Sequence, residues 1–448
     1  MDKNVEMAKK LAEAVNNAGG RAYYVGGYVR DRLMNNPTKD IDVEIHGITC
    51  GQLERILDCL GSRLQIGESF GIYTLKGYDI DIALPRKEIR IGNGHRSFDV
   101  TVDPYLGTEK ASARRDFTIN SIMMDIISEE ITDHYNGMED LKNGILRHTN
   151  PHTFSEDSLR VLRAAQFAAR FNFKVADETI TLCRSIDITD LSRERVMGEL
   201  TKAILKSNTP SVFFEFLKDV NKLDYWFPEL KALIGIKQNP EFHPEGDVWT
   251  HTMIVLDCCA DFRSKAEYPL GFMMLGLCHD MGKALCTESI NGVIHSYGHE
   301  KLGLTAVNAF IRRLTDEKKL CRYVVNMTEN HMKPFQCAGA LSSVKATNKM
   351  FDRAFSSDDL VLFSLCDNCL KENTKEYRNN YRFLLDRLDL YKETMSRPFV
   401  TGKDLISAGL KPDKNFSEIL QYAHKLRLAG VNKESALKQT VSFAAKLH

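Results

Sequence analysis

Residues 25–42 read VGGYVRDRLMNNPTKDID, and this stretch decides how the first part of the chain folds. A short β-prone segment ends in the glycine pair Gly26-Gly27, which predicts a strand followed by a tight turn. Residues 28–34 predict a helix, which ends at the turn-forming residues 35–37. Residues 40–46 alternate between polar and apolar side chains, which predicts a second strand. The stretch therefore predicts a strand, a glycine turn, a helix and a strand.

Two acidic side chains open the second predicted strand. Asp40 and Asp42 are two residues apart, so both point to the same face and repel each other. A divalent cation removes that repulsion, and Mg²⁺ prefers oxygen ligands and leaves positions for triphosphate oxygens. Two such ions can activate a 3′-hydroxyl and stabilise a pyrophosphate leaving group. Residues 71–84 predict two more strands, in which either Asp79 or Asp81 could supply a third acid.

The glycine pair exposes backbone N–H groups at the start of the predicted helix, which is a typical arrangement for binding phosphate. Arg30 lies one turn into that helix and could pair with the same phosphate. An acidic pair alone is weak evidence, because such pairs are common on protein surfaces. A Gly-Gly-x-Val-Arg-Asp segment followed by Asp-x-Asp is much more specific, and it predicts a phosphate site beside a metal ion.

Four further motifs follow in order along the chain. They are residues 114–120 (RRDFTIN), residues 133–137 (DHYNG) with Asp140-Leu141, residues 156–160 (EDSLR) and residues 192–195 (SRER). Together with residues 25–42, they resemble the motif series of the class II tRNA nucleotidyltransferases and bacterial poly(A) polymerases. The resemblance covers at least residues 21–200, and it implies an N-terminal palm sheet like that of polymerase β.

The resemblance also implies which residues act in this region. By strand alignment with the family, Asp81 rather than Asp79 is the third acid, and Arg86 is the arginine that follows it. The expected catalytic acids are Asp40, Asp42 and Asp81, with Asp40 and Asp42 as the Mg²⁺ ligands. The positions that match nucleotide-binding residues are Gly27, Arg30, Arg114, Asp157, Arg160 and Arg163.

Asp157 and Arg160 match the pair that selects CTP and ATP without a nucleic-acid template. Arginine offers rigid donors and aspartate offers acceptors, so together they can pair with the Watson–Crick edge of a base. Three residues apart on a predicted helix, the two side chains should project side by side. Arg163 lies on the same stripe. The next position on the stripe is Gln166, where family members often carry arginine, so the fine choice of nucleotide stays open.

A second constellation comprises four residues, namely His251, His279, Asp280 and Asp367. Neutral imidazoles and carboxylates bind a divalent metal ion, which can activate water for attack on phosphorus. The His-Asp pair followed by Met-Gly-Lys resembles the HD phosphohydrolase superfamily, as does the preceding segment 243–247 (HPEGD). His299 and His331 are candidates for a second metal ion. The resemblance implies phosphatase, cyclic phosphodiesterase or nuclease activity, with a divalent metal whose identity stays open.

The hydrophobic periodicity and the motifs predict an α+β protein with four domains. The nucleotidyltransferase head spans residues 1–150, after which the chain is predicted to be mostly helical. A helical neck with the nucleotide-binding helix spans residues 151–228, the HD domain residues 229–375, and a helical tail residues 376–448. The tail has 13 Lys and Arg against 8 Asp and Glu. This excess suits an arm that contacts tRNA, and equally a solvated helical surface.

The composition indicates a soluble globular protein. Hydrophobic residues make up 43% and charged residues 27% of the 448 residues, and the sequence has no apolar run long enough for a membrane span. The charged N-terminus lacks the apolar core of a secretion signal, so we expect a cytoplasmic protein. The net charge is zero, which is not typical of a nucleic-acid-binding protein. The single Cys-x-x-Cys, formed by Cys366 and Cys369, is expected in the core.

The leading hypothesis is the addition of C, C and A to the 3′ end of tRNA from CTP and ATP, together with phosphohydrolase activity in the HD domain. An enzyme that adds only CC or only A would share all five motifs. A poly(A) polymerase is a weaker alternative, because those enzymes usually have longer basic tails and lack the HD residues. From other classes, the chain could be an HD phosphohydrolase with a non-catalytic RNA-binding head, which intact Asp40 and Asp42 oppose, or a structural RNA-binding protein, which would need neither metal cluster. The oligomeric state stays open.

Overall fold

In a computed structural model of the chain, the described residues are 2–36, 40–66, 72–90, 98–371 and 373–447. Residues 37 and 71, at which the sequence predicts a helix end and a strand start, lie outside the described residues. The chain divides into two compact units. The N-terminal unit comprises Met1–Ala203 and Val212–Tyr225, and the C-terminal unit comprises Ile204–Ser211 and Trp226–His448.

The first part of the chain mixes strands and helices, as predicted. Its strands are β1 (Arg21–Tyr24), β2 (Ile41–His46), β3 (Arg63–Ile66), β4 (Ile72–Leu75), β5 (Ile80–Ala83), β6 (Arg86–Arg90), β7 (Phe98–Val102), β8 (Met123–Asp125), β9 (Ile131–Thr132), β10 (Ile145–Leu146) and β11 (Lys174–Val175). Its helices are α1 (Lys3–Asn17), α2 (Gly27–Leu33), α3 (Cys50–Leu60), α4 (Thr108–Ser112), α5 (Thr118–Ser121), α6 (Gly137–Asn143), α7 (Pro151–Glu156), α8 (Leu159–Phe171), α9 (Asp177–Ser185), α10 (Arg193–Lys206) and α11 (Ser211–Asp219).

A seven-stranded mixed sheet lies at the centre of the N-terminal unit, with the strand order β3-β4-β5-β2-β1-β8-β9. Neighbouring strands are antiparallel, except that β2 and β5 are parallel. The strands β6 and β7 pair only with each other among the described residues, and β10 pairs with β11. The predicted α+β class with a palm sheet at the N-terminus is therefore confirmed.

Strand β2 has one apolar and one acidic face. Ile41, Val43 and Ile45 are at most 2% exposed and belong to the core that the sheet shares with α1 and α3. Burying each of these side chains stabilises the fold by about 1.5–3 kcal/mol. The opposite face presents Asp42 and Glu44, because successive strand residues alternate. The burial of the apolar face therefore fixes the direction of the acidic one.

The predicted helix that was to carry both Asp157 and Arg160 is interrupted. Asn150 caps the start of α7 by accepting hydrogen bonds from the N–H groups of His152 and Thr153. Asp157 (φ −120°, ψ 102°) lies after the end of α7, and its carboxylate accepts from the N–H of Leu159 at the start of α8. The expectation that Asp157 and Arg160 project side by side from one helix is therefore wrong, because Asp157 precedes that helix.

The C-terminal unit is mostly helical, as predicted. Its helices are α12 (Pro228–Lys231), α13 (Val248–Phe262), α14 (Pro269–Cys278), α15 (Lys283–Cys286), α16 (His299–Leu302), α17 (Leu304–Leu314), α18 (Lys318–Asn330), α19 (Lys333–Gly339), α20 (Val344–Arg353), α21 (Ser357–Asp367), α22 (Lys375–Ser396), α23 (Gly402–Ser407), α24 (Phe416–Leu428) and α25 (Lys433–Ala444). A hairpin of β12 (Glu288–Ile290) and β13 (Val293–His295) interrupts them. None of the helices in the described ranges combines the length and the hydropathy that a membrane-spanning segment requires.

The third sequence motif has a structural explanation. The carboxylate of Asp133 accepts hydrogen bonds from the N–H groups of Gly137 and Met138, each at 2.9 Å, and so caps the first turn of α6. Gly137 packs directly against α5: a Cβ built on it would lie 2.1 Å from the carbonyl oxygen of Thr118. Because Thr118 belongs to the second motif, the glycine lets the second and third motifs pack together.

We predict that Gly137→Ala destabilises the protein by about 1–3 kcal/mol, because the backbone of Thr118 has to move. The measurement is urea denaturation followed by circular dichroism. Gly198→Ala is the matched control: Gly198 lies within α10, and nothing lies within 4 Å of its would-be Cβ. The control should be neutral or up to about 1 kcal/mol more stable. Equal midpoints for both variants would contradict the prediction.

Candidate functional sites

The predicted acids of the head come together on the acidic face of β2. Asp42 of β2 and Asp81 of β5 are direct partners in the parallel register, so their side chains lie on the same face of the sheet. Asp40 lies immediately before β2. The charges of both Asp40 and Asp81 act on the carboxyl group of Asp42. The described backbone thus places three carboxylates around one point.

The charges around Asp42 favour a cation. Burial raises the pKa of Asp42, and the charges of Asp81 and Asp40 raise it further, whereas Arg115 and Arg30 lower it. The net shift is upward, so the ionised form is unfavourable without another positive charge. The donors are all carboxylate oxygens, which are the ligands that a hard divalent cation takes. The residues present therefore fit a metal ion.

The glycine turn leaves space beside these acids. Gly26 has a φ of +65°, which favours glycine, and its would-be Cβ would lie 3.2 Å from Oδ2 of Asp42 and 3.1 Å from Nη1 of Arg115. Gly27 is the first residue of α2, so its backbone lies at the helix N-terminus, where N–H groups lack intrahelical partners. The turn therefore places the N-terminus of α2 close to the acidic face.

Arg30 does not lie where a phosphate-binding side chain was expected. It is 3% exposed, and its donors are used by Asp31 (Nε–Oδ1, 2.8 Å) and Asn120 (Nη1–Oδ1, 2.7 Å). Its guanidinium also lies over the rings of Phe167 and Phe171. The expectation of direct phosphate contact by Arg30 therefore needs correction: sequence spacing cannot show that Asn120, 90 positions away, takes its donors.

Asp116 joins the second motif to α8. It accepts a hydrogen bond from Asn120 (2.9 Å) and pairs with Arg163 through Nη2 (2.6 Å). Burial alone would raise the pKa of Asp116, but Arg163 and Asn120 outweigh it and hold the pKa below its usual range. Arg163 keeps 30% of its side chain exposed. Gln166, the departure from the family pattern, is only 2% exposed and so is a core residue here.

The remaining nucleotide-binding candidates are held by close partners. Arg160 donates to the carbonyl oxygens of Thr153 and Arg114, both at 2.7 Å. Arg114 in turn donates to the carbonyl oxygen of Arg86. The two oxygens of Asp157 each accept from Nη2 of Arg195 at 2.9 Å. Arg195 was not among the predicted site residues. Its position in the fifth motif, residues 192–195, is the feature of the sequence that could have indicated it.

Arg115 and Glu44 were also missed. Nη2 of Arg115 lies 3.2 Å from Oε2 of Glu44, and His46 lies 2.9 Å from Oε1 of the same carboxylate. Burial opposes the ionised form, but His46 and Arg115 keep the pKa of Glu44 below its usual range. The signal was in the sequence, because Glu44 follows Asp40 and Asp42 at the same spacing of two.

The four predicted HD residues meet in the C-terminal unit. Nε2 of His251 lies 3.2 Å from Oδ1 of Asp367, and Nε2 of His279 lies 3.3 Å from Oδ2 of Asp280 and 3.5 Å from Oδ1 of Asp367. His299 and His331 complete a second group with Asp280, whose Oδ1 is 3.2 Å and 4.0 Å from their Nε2 atoms. The ligand atoms of His251, His279 and Asp367, and likewise those of Asp280, His299 and His331, lie close enough together to hold a metal ion.

Three of the histidines are oriented by the backbone. The Nδ1 atoms of His279, His299 and His331 lie 2.9, 2.9 and 2.7 Å from the carbonyl oxygens of the residues three positions earlier in the chain. Such a bond fixes the tautomer and turns Nε2 toward a metal. Nε2 of His279 is buried and makes no hydrogen bond to any described residue. An orphaned nitrogen between two carboxylates fits a metal ligand.

The charges of this cluster also favour a cation. Burial would raise the pKa of Asp280, but Lys283 and His279 hold it well below its usual range. Burial lowers the pKa of His331 to about 4, so its imidazole is neutral. Burial would likewise lower the pKa of His251, but Asp367 and Glu245 raise it to about 9. Two ionised carboxylates therefore face a neutral imidazole, His331, and a protonated one, His251, whose proton a bound metal ion would displace.

A cavity of about 490 Å³ opens onto the HD cluster. Asp280, Lys283, His299 and Asp367 are among the residues that line it, and aromatic side chains form further walls. Nζ of Lys283 lies 2.7 Å from Oδ2 of Asp280 and would also attract an anion. The cavity therefore combines ligands for a cation with a positive charge for a phosphate group.

Comparison with known proteins agrees with both the fold and the motifs. The family described as the poly A polymerase head domain matches residues 22–147. The multifunctional CCA protein of Actinobacillus pleuropneumoniae is 37% identical over 316 residues, which are 69% of this chain and 74% of that protein. The corresponding protein of Mannheimia succiniciproducens is 39% identical over 302 residues, covering 66% of this chain and 70% of that protein.

Solved structures share the fold along the chain. The Thermotoga maritima CCA-adding enzyme complexed with tRNA gives a TM-score of 0.67 at 18% identity, covering 99% of this chain and 96% of that one. A CCA-adding enzyme complexed with ATP gives 0.69 at 18% identity, covering 100% and 95%. At this identity the likeness establishes the fold alone. The sequence relatives, however, are 37–39% identical and are covered over more than two thirds of their length, so the chain belongs to the class II tRNA nucleotidyltransferase family.

Proposed function

We propose that this protein adds C, C and A to the 3′ end of tRNA, using CTP and ATP without a nucleic-acid template. The observation that carries the proposal is the direct pairing of Asp42 with Asp81, beside Asp40. Metal-assisted transfer of a nucleotide needs such a set of carboxylates. The relatives named multifunctional CCA protein support the same function, as does the fold shared with CCA-adding enzymes complexed with tRNA, ATP or CTP.

In the head, Asp40 and Asp42 would hold Mg²⁺, which supplies the activation of the terminal 3′-hydroxyl and stabilises the pyrophosphate that leaves. Asp81 completes the carboxylate set. Gly27 presents backbone N–H groups to the phosphates. Arg30 would act on this turn indirectly, because its donors are used by Asp31 and Asn120 and not by the phosphates.

Nucleotide choice rests on Asp157, Arg160 and Arg163, with Arg114 beside them. Arg195 fixes the carboxylate of Asp157 through both oxygens, so the acceptor points in one direction. Arg160 is fixed by two backbone carbonyls. Fixed donors and acceptors discriminate between base edges better than mobile ones, because little conformational entropy is lost on binding.

In the HD domain, we propose a metal-dependent phosphohydrolase. His251, His279, Asp280 and Asp367 would hold a divalent metal, which supplies activated water for attack on phosphorus. Asp280 also faces His299 and His331, which would serve a second ion. Lys283 would attract the phosphate group into the cavity.

The domain boundaries at residues 150, 228 and 375 and the cytoplasmic location are part of the proposal. The two compact units are compatible with a head and neck followed by HD and tail domains. In the tail, α23 to α25 pack around a small apolar core of their own. The excess of Lys and Arg side chains in the tail would bind the phosphate backbone of tRNA.

The function is tested with purified protein, Mg²⁺ and tRNA that lacks its last three nucleotides, given CTP and ATP separately and together. We expect a complete CCA end only in the mixture. Addition of two C residues from CTP, with no A added when ATP is also present, would identify a CC-adding enzyme. Long A tracts would identify a poly(A) polymerase. No incorporation, with phosphohydrolase activity intact, would favour an HD enzyme with a non-catalytic head.

We predict that Asp81→Asn lowers the rate of CTP incorporation by at least about 10²-fold, because each site carboxylate contributes several kcal/mol of charge stabilisation. Asp79→Asn is the matched control. Asp79 is exposed and lies one residue before β5, and its substitution should change the rate by less than about twofold. Single-turnover incorporation on radiolabelled tRNA measures both, and the reverse order of effects would reject Asp81 as the third acid.

We predict that Asp280→Asn abolishes phosphohydrolase activity and leaves CCA addition within about twofold of wild type, because Asp280 links both HD metal groups and the head acids lie in the other unit. The substrates are p-nitrophenyl phosphate, a 2′,3′-cyclic nucleotide and tRNA with a 3′-phosphate, each with Mg²⁺, Mn²⁺, Ni²⁺ or Co²⁺. Hydrolysis that survives in the variant with every metal would contradict the assignment.

A further inference from the structure

We infer that Glu44 holds the guanidinium of Arg115 away from the metal-binding carboxylates, and so keeps Asp42 available to a cation. This makes Glu44 a positioning residue of the head. The inference rests on the proposed function, because it assumes that Asp40 and Asp42 bind a metal ion.

Glu44 is held in place by partners at both carboxylate oxygens. Its side chain is only 12% exposed, and each of its oxygens has one partner: Oε2 lies 3.2 Å from Nη2 of Arg115, and Oε1 lies 2.9 Å from Nε2 of His46. The imidazole of His46 packs edge-on against Tyr23 of β1, with ring centroids 5.4 Å apart. The carboxylate is therefore fixed at both oxygens before any ligand binds.

Arg115 and Asp42 border the same small space. Nη1 of Arg115 and Oδ2 of Asp42 would both touch a Cβ on Gly26, at 3.1 and 3.2 Å. The charge of Arg115 acts on Asp42 more strongly than any other charge does. Yet Glu44 is the one carboxylate within ion-pair distance of Arg115 in the part of the chain that the structure describes.

The competition between these carboxylates has a clear physical consequence. An arginine and a carboxylate readily form a two-pronged ion pair with parallel hydrogen bonds. If Arg115 paired with Asp42 in this way, it would occupy the oxygens that a metal needs. Glu44 offers a competing partner in a less exposed position, where the attraction between charges is screened less. Arg115 then contributes positive charge at the site without covering Asp42.

The test is a double-mutant cycle with Glu44→Gln, Arg115→Met and both together, since such a cycle isolates the coupling between two residues. Glutamine keeps the shape of Glu44 but loses its charge. Binding of Mn²⁺ alone is followed by the electron paramagnetic resonance signal of the unbound ion. Ions held by the HD cluster are a constant background, because no variant changes the C-terminal unit.

We expect Glu44→Gln to weaken Mn²⁺ binding in the head about tenfold, a typical effect of losing a residue that supports a metal ligand. Arg115→Met should change the affinity by less than about twofold in wild type but restore it about tenfold in the Glu44→Gln background. In Glu44→Gln, the Mg²⁺ concentration for half-maximal CTP incorporation should rise in parallel with the loss of Mn²⁺ affinity. In the double variant, the KM for CTP should remain above the wild-type value, because the positive charge of Arg115 is missing.

Additive effects of the two substitutions would overturn the inference, because simple charge removal is additive whereas release of Arg115 is not. An unchanged affinity in Glu44→Gln would also overturn it. Glu54→Gln, which removes another carboxylate paired with an arginine, Arg63, is the matched control and should leave Mn²⁺ binding unchanged.

Thermal unfolding is checked for every variant. Should Glu44→Gln not fold, Glu44→Asp is used in the same cycle, because it keeps the charge but withdraws the carboxylate from Arg115 by one methylene group. The Mn²⁺ titration needs no tRNA and no catalysis. Wild-type protein that fails to extend tRNA would therefore contradict the proposed function, whereas the cycle alone decides the role of Glu44.

Discussion

The hydrogen-bond chain from Arg30 through the buried Asn120 and Asp116 to the half-buried Arg163 is the constraint on which the head depends. Asn120 accepts from Arg30 and donates to Asp116, and Asp116 binds Arg163. A buried charge without its partner costs several kcal/mol, so each member requires the next. The chain ties the helix after the glycine turn to the second motif and to α8, and through them fixes Gly26 beside Asp42.

The sequence predicted those parts of the head that local patterns determine. Alternation over residues 40–46 is enough to predict that Asp42 faces away from the core, because the burial of Ile41, Val43 and Ile45 allows only one register. The pairing of Asp42 with Asp81 needed more, since two acids two residues apart on residues 71–84 were equally good until the family alignment favoured one. The parallel register of β2 and β5 places that acid directly opposite Asp42.

The sequence could not predict which charged groups are already paired. From the sequence alone, Arg30 and Asp157 look like ligand-binding residues. In the structure, Arg30 pairs with Asn120, 90 positions away, as well as with the adjacent Asp31, and Asp157 pairs with Arg195, 38 positions away. No local pattern encodes such a distance. The same holds for the HD cluster, in which His251, the adjacent His279 and Asp280, and Asp367 come from three distant parts of the chain. There the prediction rested on the His-Asp pair and its resemblance, whereas the contact of Glu245 with His251 and that of Lys283 with Asp280 are visible only in the structure.

Both sites follow one principle: a ligand-facing group is held by a second partner that uses its other donor or acceptor. In His279, His299 and His331, Nδ1 lies within hydrogen-bonding distance of a backbone carbonyl oxygen, so Nε2 is the ring nitrogen that faces the cluster. In the head, Glu44 occupies one end of Arg115 in the same way. A group fixed like this loses little entropy when its ligand arrives, which strengthens binding without a new contact. Charged groups that lie close together must also be kept from pairing with one another. The ion pair of Glu44 with Arg115 meets this second requirement, because it occupies a guanidinium that could otherwise pair with Asp42.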